Sequence, residues 1–396
     1  MNHLFVTQDF GPDLGGMARR HVELARRFSN ATESMSVSTV HLDGDVTFDA
    51  GEDYTVDRQP FHFREANRFA NQLRWAKSLT DSARDQIDVM HCGNIRPVGY
   101  AVSLAARRLR VPYIVYVNGG DLLREREKSS SSPFKRRTSR HILGNAAGIA
   151  ATSAWVAELT REVMTQVAVE PLPPIAELGL GTDPLQFAPD KDTGRLRSKW
   201  NVADCPLMLT VARLVPHKGQ DTAIRALAAL RQSVPDLRYV MVGEGHYEPA
   251  LRELATELGV ADAVVFAGAL AETELPEAYA TSTVYVGPSR VDNVINAEGY
   301  GISFLEAASS GLPVVAGDSG GVRSAVRDGE TGIVLPPEDV ERWAQVLLGL
   351  LNDDGHRKTL GLAGRLAVES YYNWDRVARD TRRFTLDVVA DKVRAS

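Results

Sequence analysis

Cysteines and long apolar runs are both scarce in this sequence of 396 residues. Its two cysteines, Cys92 and Cys205, fall in different predicted domains, so we expect no disulfide and a reducing compartment. No apolar run approaches the roughly 18 residues that a membrane-spanning helix needs, and the first residues are typical of a strand rather than a signal peptide. The sequence therefore predicts a cytoplasmic protein, with peripheral contact at the inner face of a membrane left open.

An excess of charge is also lacking. The net charge is −6, and the hydrophobic and charged fractions of 44% and 24% are ordinary for a globular protein. Nothing here predicts a general attraction to nucleic acid, and we expect no nucleic-acid partner. Because single cores stop growing near about 250–300 residues, the length predicts two domains.

Several well-known ligand motifs are missing. The turn after the first apolar run has glycines at Gly11, Gly15 and Gly16, which is not the GxGxxG spacing of a dinucleotide-binding dehydrogenase. There is no GxxxxGK[ST], HExxH or paired CxxC. The acidic pair Asp43 and Asp45 matches a metal-binding DxD pattern, but one match of so loose a pattern is expected by chance, and an acidic turn after the second strand explains it. We therefore expect neither a metal ion nor another cofactor.

Short apolar runs alternate with amphipathic stretches along most of the chain, which favours parallel sheets covered on both faces by helices. The pattern restarts after a segment rich in Pro, Gly and Asp, 170–194, so we predict two doubly wound α/β domains, residues 1–188 and 189–373. A final helix, 374–396, is expected to return to the first domain. The serine run 129–132 suggests a mobile loop. The predicted strands are 3–7, 36–41, 87–91, 113–117 and 148–152, then 206–211, 238–242, 263–266, 283–287 and 313–316.

Two glycine-rich or cationic turns follow predicted strands, at the edge where such domains bind ligands. Gly15 and Gly16 let a ligand approach the backbone at a helix N-terminus, although a tight turn alone also explains them. Arg213 and Lys218, in the segment RLVPHKG, are two cations suited to a diphosphate, although most such side chains are simply solvated.

Two glutamates occupy the segment EGYGISFLEAASSGLPVVA. Glu298 lies in a glycine-rich loop, and Glu306 lies at the start of a helix. A carboxylate accepts hydrogen bonds from sugar hydroxyls. Ser303 and Glu306 also fit a helix capping box, which would explain Glu306 but not Glu298. A further glycine-rich turn, 317–332, follows.

The order of these segments, namely GG, RLVPHKG, VGEG, EGYGISFLEAASSGLPVVA and GGVRSAVRDGETG, resembles the family 4 glycosyltransferases of the GT-B fold. The sequence of the fourth segment is most similar to that found in the branch of phosphatidylinositol mannoside mannosyltransferases. The resemblance implies two Rossmann-like domains with a cleft between them, a nucleotide sugar bound mainly by the second, retention of anomeric configuration and no metal.

The resemblance also implies roles for individual residues. Arg213 and Lys218 would hold the diphosphate, helped by Gly15 and Gly16, and Glu306 would hold the ribose. Glu298, Gly299, Tyr300 and Gly301 would hold the transferred sugar. The region from Gly268 to Leu270 would contact the base through backbone groups, and Gly243 would also belong to the donor site. Catalysis would depend on Arg213, Lys218, Glu298 and Asn118.

Asn118 is a departure, because the family usually has a histidine at this position. The following Gly119, Gly120 and Asp121 fit the family pattern. Asp121 and Arg140 are predicted on the acceptor side. Arg140 ends a basic stretch, 124–140, which could meet an anionic acceptor or membrane, although a solvated helix face explains it equally well.

The predicted function is thus transfer of a hexose from a GDP- or UDP-sugar to a glycan, lipid-linked or small-molecule acceptor. Two alternatives remain open at this point: a nucleotide-sugar epimerase of the same fold, and a non-catalytic nucleotide-sugar binder. A dehydrogenase is disfavoured by the missing fingerprint.

Overall fold

The computed structural model describes residues 1–12, 15–28, 33–60, 68–82, 87–202, 204–292 and 296–395. The chain forms two compact units: unit 1 comprises residues 1–179 and 374–396, and unit 2 comprises residues 180–373. The division falls nine residues before the predicted boundary at 188/189, since the intervening segment packs on unit 2. There Ser309 donates a hydrogen bond to the Phe187 carbonyl at 2.6 Å, and the Phe187 ring meets Tyr279 edge-on.

Unit 1 contains a parallel sheet of seven strands in the order β3-β2-β1-β4-β5-β6-β7. The strands are β1 Asn2–Val6, β2 Ser34–Val40, β3 Thr55–Gln59, β4 Val89–Cys92, β5 Tyr113–Val117, β6 Gly148–Ala151 and β7 Ile175–Glu177. The helices are α1 Gly16–Phe28, α2 Asp45–Asp49, α3 Arg68–Ser82, α4 Val98–Leu109, α5 Gly120–Ser131, α6 Pro133–Gly144 and α7 Ala154–Gln166.

Unit 2 contains a parallel sheet of six strands in the order β10-β9-β8-β11-β12-β13. The strands are β8 Leu207–Val211, β9 Arg238–Val242, β10 Val264–Gly268, β11 Val284–Gly287, β12 Val314–Gly317 and β13 Ile333–Leu335. The helices are α8 Arg195–Trp200, α9 Gln220–Leu230, α10 Glu248–Glu257, α11 Leu275–Ala280, α12 Ile302–Ser309, α13 Val322–Ala325, α14 Val340–Asn352 and α15 Asp354–Ser370. The last helix, α16 Trp374–Ala395, packs against α1 in unit 1.

The two sheets confirm the predicted doubly wound α/β class. In each sheet the first strand, β1 or β8, has neighbours on both sides, so that the strand order reverses next to it. Ligands of doubly wound domains bind beyond the carboxyl ends of the strands at such a reversal. Many of the residues singled out above lie in loops at this carboxyl edge, namely those after β1 and β5 in unit 1 and those after β8 and β11 in unit 2.

Apolar strand sequences account for the position of the sheets. Strand β9 has the sequence RYVMV, and every residue after Arg238 is buried. Its neighbours in the unit 2 core include Met208, Val286 and Trp343, each with no exposed surface. Strands buried on both faces read as continuous apolar runs, which is why such strands were predicted from sequence.

The serine run 129–132 was predicted as a mobile loop, and this prediction is wrong. Ser129, Ser130 and Ser131 continue helix α5, and their hydroxyls donate to carbonyls three or four residues earlier. The side chain of Gln166 also donates to the Ser129 and Ser130 hydroxyls at 2.9 and 2.8 Å. Local hydrogen bonds and this tie to α7 thus hold a segment whose composition alone suggested a loop.

Within the described part of the chain, no helix has the length and apolar character needed to cross a membrane.

Candidate functional site

The cationic turn of unit 2 follows β8 and leads into helix α9. Arg213 is exposed, and Lys218 ends a short 3-10 turn, Pro216–Lys218. Gly219 then caps α9 with φ of +71°, and a Cβ at this position would lie 2.0 Å from the Pro288 carbonyl oxygen. Only glycine fits so close a backbone approach in that conformation, so the turn that carries Lys218 is fixed against the loop after β11.

The VGEG turn after β9 holds the loop of Arg213 from the other side. A Cβ on Gly243 would lie 2.1 Å from the Ala212 carbonyl oxygen, and a Cβ on Gly245 would lie 2.1 Å from that of Leu214. The amide of Leu214 also donates to the Glu244 carbonyl at 2.9 Å. These two glycines therefore let one backbone pack directly on another, which sets the position of the Arg213 loop.

Lys218 and Glu298 form an ion pair in which the ammonium donates to the carboxylate oxygen Oε2. Both side chains are largely buried, with 18% and 14% exposed. Burial alone would raise the pKa of Glu298, but Lys218, the nearby His217 and the amide of Tyr300 hold this pKa below its ordinary value. The structure thus brings together two residues that lie far apart in sequence, and Glu298 is ionised at neutral pH.

His217 lies beside this ion pair. Burial, followed by the charge of Lys218, lowers the pKa of His217 to about 4. The imidazole is therefore neutral at pH 7, and the positive charge of the turn comes from Arg213 and Lys218.

The glycine-rich turn after β12 holds the backbone of Glu298. The amide of Gly321 donates to the Glu298 carbonyl at 2.7 Å. Gly320 has φ of +54°, and a Cβ there would lie 2.3 Å from the same oxygen. The turn 317–332, uninformative by itself in the sequence, therefore serves to position Glu298.

Glu306 lies inside helix α12 with only 5% of its surface exposed, and its Oε2 accepts a hydrogen bond from the Tyr279 hydroxyl at 2.6 Å. The capping-box alternative is wrong, because Gly301 is the N-cap and Ser303 is already helical. The carboxylate is instead fixed in orientation by Tyr279, on helix α11, which no sequence pattern singled out.

We expect Glu306→Gln to weaken nucleoside-diphosphate binding about tenfold or more while the protein stays folded, because the amide keeps the shape but replaces one acceptor oxygen by a donor. Tyr279→Phe, which removes only the orienting hydroxyl, should weaken binding to a smaller extent. Titration calorimetry with GDP measures both effects. A fall in melting temperature with unchanged GDP affinity would instead show that Glu306 acts only in packing.

The other residues predicted to hold the donor surround these groups. Tyr300 is 3% exposed, and Gly301 has φ of +99° with the Phe304 ring against it. Gly268 ends β10, and its carbonyl accepts from the Gly243 amide at 2.8 Å. The half-buried Leu270 lies two residues further along. Gly299 lies between Glu298 and Tyr300 in the loop before α12.

In unit 1 the predicted residues lie beyond β1 and β5. Gly15 and Gly16 are exposed at the N-terminus of α1, where the Arg19 amide donates to the Gly15 carbonyl at 2.9 Å. After β5, Asp121 Oδ1 accepts from the amides of Asn118 and Leu122 at 3.0 and 2.9 Å. Burial raises the pKa of Asp121 despite these hydrogen bonds.

A residue that sequence reasoning missed lies beside Asn118. Arg20 of α1 has no exposed surface, and its Nη1 donates to Asn118 Oδ1 at 3.4 Å. Its guanidinium also stacks on the Tyr116 ring, 4.7 Å from the centroid. An arginine in a helix normally reaches solvent, so nothing in the sequence indicated this burial.

Arg140 lies apart from Asp121. It lines a cavity of about 630 Å³ together with Ala147 and Pro174, which immediately precede β6 and β7. This is the amino edge of the unit 1 sheet, whereas Asn118 and Asp121 lie at its carboxyl edge. Helix α6 runs from the carboxyl edge to the amino edge, and Arg140 lies near its C-terminal end.

Among the residues that the structure describes, no group of three or more His, Cys, Asp or Glu side chains is placed to hold a metal ion. In the acidic pair Asp43 and Asp45, Asp45 Oδ2 contacts His41 Nδ1 at 2.7 Å and accepts from the Leu42 amide at 3.3 Å.

Two family models match the chain in series. Residues 15–174 match the model described as "Glycosyl transferase 4-like domain", and residues 192–367 match "Glycosyl transferases group 1". The solved structure of Anabaena Alr3699/HepE in complex with UDP has a TM-score of 0.77 at 20% identity, covering 98% of this chain and 100% of that one.

Two curated relatives are GDP-mannose-dependent mannosyltransferases by name. An alpha-(1-6)-phosphatidylinositol monomannoside mannosyltransferase of Mycolicibacterium smegmatis is 38% identical over 60% of this chain and 62% of its own length. A Corynebacterium glutamicum enzyme, named for a monoacylated form of the same acceptor, is 28% identical over 94% of both chains. The chain thus aligns with about three fifths of the first relative and nearly all of the second.

Proposed function

The chain belongs to the family-4-like glycosyltransferases of the GT-B fold, and we propose that it transfers mannose from GDP-mannose to an inositol-containing mannolipid. The observation that carries the proposal is the Lys218–Glu298 pair, with Arg213 in the same turn, at the carboxyl edge of the unit 2 sheet. Both relatives described above use GDP-mannose by name, which favours GDP over UDP. The acceptors in their names favour a phosphatidylinositol mannoside as the acceptor of this chain.

The charges of the turn suit the departure of a nucleoside diphosphate. Negative charge develops on the leaving oxygen in the transition state, and fixed cations there stabilise it more than the ground state. Arg213 and Lys218 would supply this charge without a metal ion. Glu298, ionised and held by Lys218, would accept hydrogen bonds from mannose hydroxyls, while Glu306 would accept them from the ribose.

Retention of configuration is part of the proposal. On that path the acceptor hydroxyl attacks the face of the sugar from which the diphosphate leaves, and the leaving phosphate oxygen takes the acceptor's proton. The step then needs no side chain as general base, which agrees with an asparagine, rather than a titrating group, at position 118.

Slow hydrolysis of the donor tests the proposal against the two alternatives. A transferase without acceptor should release free mannose from GDP-mannose at a low rate, faster than from UDP- or ADP-mannose. An epimerase would yield a different nucleotide sugar, and a non-catalytic binder would yield neither product. The free sugar and the nucleotide sugar are separated and quantified by anion-exchange chromatography.

We expect the rate to be nearly flat between pH 6 and 8. Asn118 does not titrate, and His217, with its pKa lowered to about 4, is already neutral throughout that range. Asn118→His would introduce a group that titrates near neutrality and could add a limb to the profile. The profile is measured as kcat against pH, and a wild-type limb centred near 7 would contradict the prediction.

We also propose that helices α5 and α6 contact the anionic membrane that holds the acceptor. Phe134 is 59% exposed at the start of α6, and the neighbouring Arg136 and Arg137 are exposed cations. Each cation near an anionic surface contributes about 1 kcal/mol. Arg136→Gln with Arg137→Gln should reduce co-sedimentation with anionic liposomes severalfold, whereas the exposed Arg379→Gln should not. Equal binding of the wild type to neutral and anionic liposomes would rule the contact out.

A further inference from the structure

Arg20 is a buried cation at the carboxyl edge of the unit 1 sheet. It has no exposed surface, and burial lowers its pKa to about 10, so that it remains charged at neutral pH. Within the described part of the chain, its Nε and Nη2 have no hydrogen-bond partner. A buried guanidinium with so few partners is costly, which points to a role other than stability.

The contact between Arg20 and Asn118 fixes which end of the amide is available. Arginine has only donors, so the Asn118 atom that faces Nη1 at 3.4 Å must be the carbonyl oxygen. The Nδ2 group is therefore the end turned away from Arg20, and among the described residues it has no partner. Asp121 lies three residues after Asn118, and its Oδ2 is likewise a buried acceptor without a partner among the described residues.

We propose that Arg20 is a positioning residue that turns the Asn118 amide so that Nδ2 donates a hydrogen bond to a substrate oxygen. The proposal rests on the glycosyl transfer proposed above. Asp121, whose Oδ1 accepts from the Asn118 backbone amide at 3.0 Å, supplies an acceptor at Oδ2. A donor together with an acceptor matches a sugar hydroxyl, which accepts one hydrogen bond and donates another.

Asn118→Asp is the sharpest substitution, because it is nearly isosteric and keeps an oxygen toward Arg20. It replaces the Nδ2 donor by an acceptor oxygen and adds a negative charge. We expect turnover to fall at least tenfold while the chain folds normally. Arg20→Met should lower turnover to a similar degree, and combining Arg20→Met with Asn118→Ala should cost no more than the larger single effect. Arg26→Met, which removes an exposed cation from the same helix, is the matched control and should leave turnover unchanged.

A second readout does not depend on activity. In the wild-type background the carboxylate introduced by Asn118→Asp would face the Arg20 charge, whereas in the Arg20→Met background it would be buried without that partner. The change in melting temperature caused by Asn118→Asp should therefore be less unfavourable, by several degrees, when Arg20 is present. Arg20→Gln, which is polar but uncharged, replaces Arg20→Met as the background if the methionine variant does not fold.

The outcomes separate the two proposals. Equal melting shifts in both backgrounds, or wild-type turnover of Asn118→Asp, would overturn the role of Arg20. A wild-type chain that neither hydrolyses nor transfers from GDP-mannose would overturn the proposed function, whatever the melting shifts show.

Discussion

Replacing Lys218 by alanine is expected to reduce turnover by roughly 30- to 1000-fold, equivalent to about 2–4 kcal/mol in the barrier. Arg213→Ala should have an effect of similar size. Each substitution removes a charge that acts mainly on the departing diphosphate, so kcat should fall more than the affinity for GDP-mannose. The Lys218 effect should be the larger, since the buried Glu298 carboxylate also loses its ion-pair partner.

Lys199→Ala is the control for this prediction. Lys199 is an exposed cation of unit 2 that pairs with Glu274 at 3.4 Å. Its replacement by alanine removes one positive charge, as Lys218→Ala does. Steady-state kinetics on protein shown to be folded by calorimetry provide the comparison. Equal kcat for Lys218→Ala and Lys199→Ala would exclude the proposed grip on the diphosphate.

Gly219→Ala is expected to have the second large effect, lowering both the melting temperature and turnover, the latter at least tenfold. The left-handed φ of +71° costs any L side chain about 1–2 kcal/mol, and the new Cβ would also collide with the Pro288 carbonyl. Relief of that collision must move the turn that carries Lys218. The functional loss should therefore exceed what the stability loss alone would give.

Gly194→Ala separates conformational strain from collision. Gly194 has φ of +74°, and a Cβ there would meet nothing within 4 Å. We expect a decrease of a few degrees in melting temperature and unchanged turnover of the folded protein. If both alanine variants behave alike in differential scanning calorimetry and in kinetics, the close approach at Pro288 has no functional consequence.

The predictable part of the fold was the part buried on both faces. Strands such as Tyr113–Val117 and Arg238–Val242 read as apolar runs and were predicted at their observed bounds. Strand β3, with the sequence TVDRQ at a sheet edge, was missed because it is polar, and β7 and β13 were missed because each has three residues. The serine run at the end of α5 was misjudged because Gln166 of α7 helps to hold it, and sequence composition does not reveal such a tertiary contact.

The residues of the candidate site were likewise predicted only in part. Lys218 and Glu298 were predicted from their motifs, and the structure places them in contact. Tyr279 and Arg20 were not predicted, because a tyrosine and an arginine in amphipathic helices normally have packing or solvent roles. The roles proposed for Tyr279 and Arg20 depend on the tertiary neighbours Glu306 and Asn118, which no local pattern specifies.

Mannosyl transfer in the presence of excess EDTA is the decisive test of the proposed metal-free, retaining reaction. The purified chain is incubated with GDP-mannose and phosphatidylinositol monomannoside in detergent, and the product is analysed by mass spectrometry and by NMR of its anomeric proton. We expect a product with one added mannose in the α configuration, formed at the same rate with and without EDTA. A β-linked product, or activity lost in EDTA and restored by Mn²⁺, would contradict it.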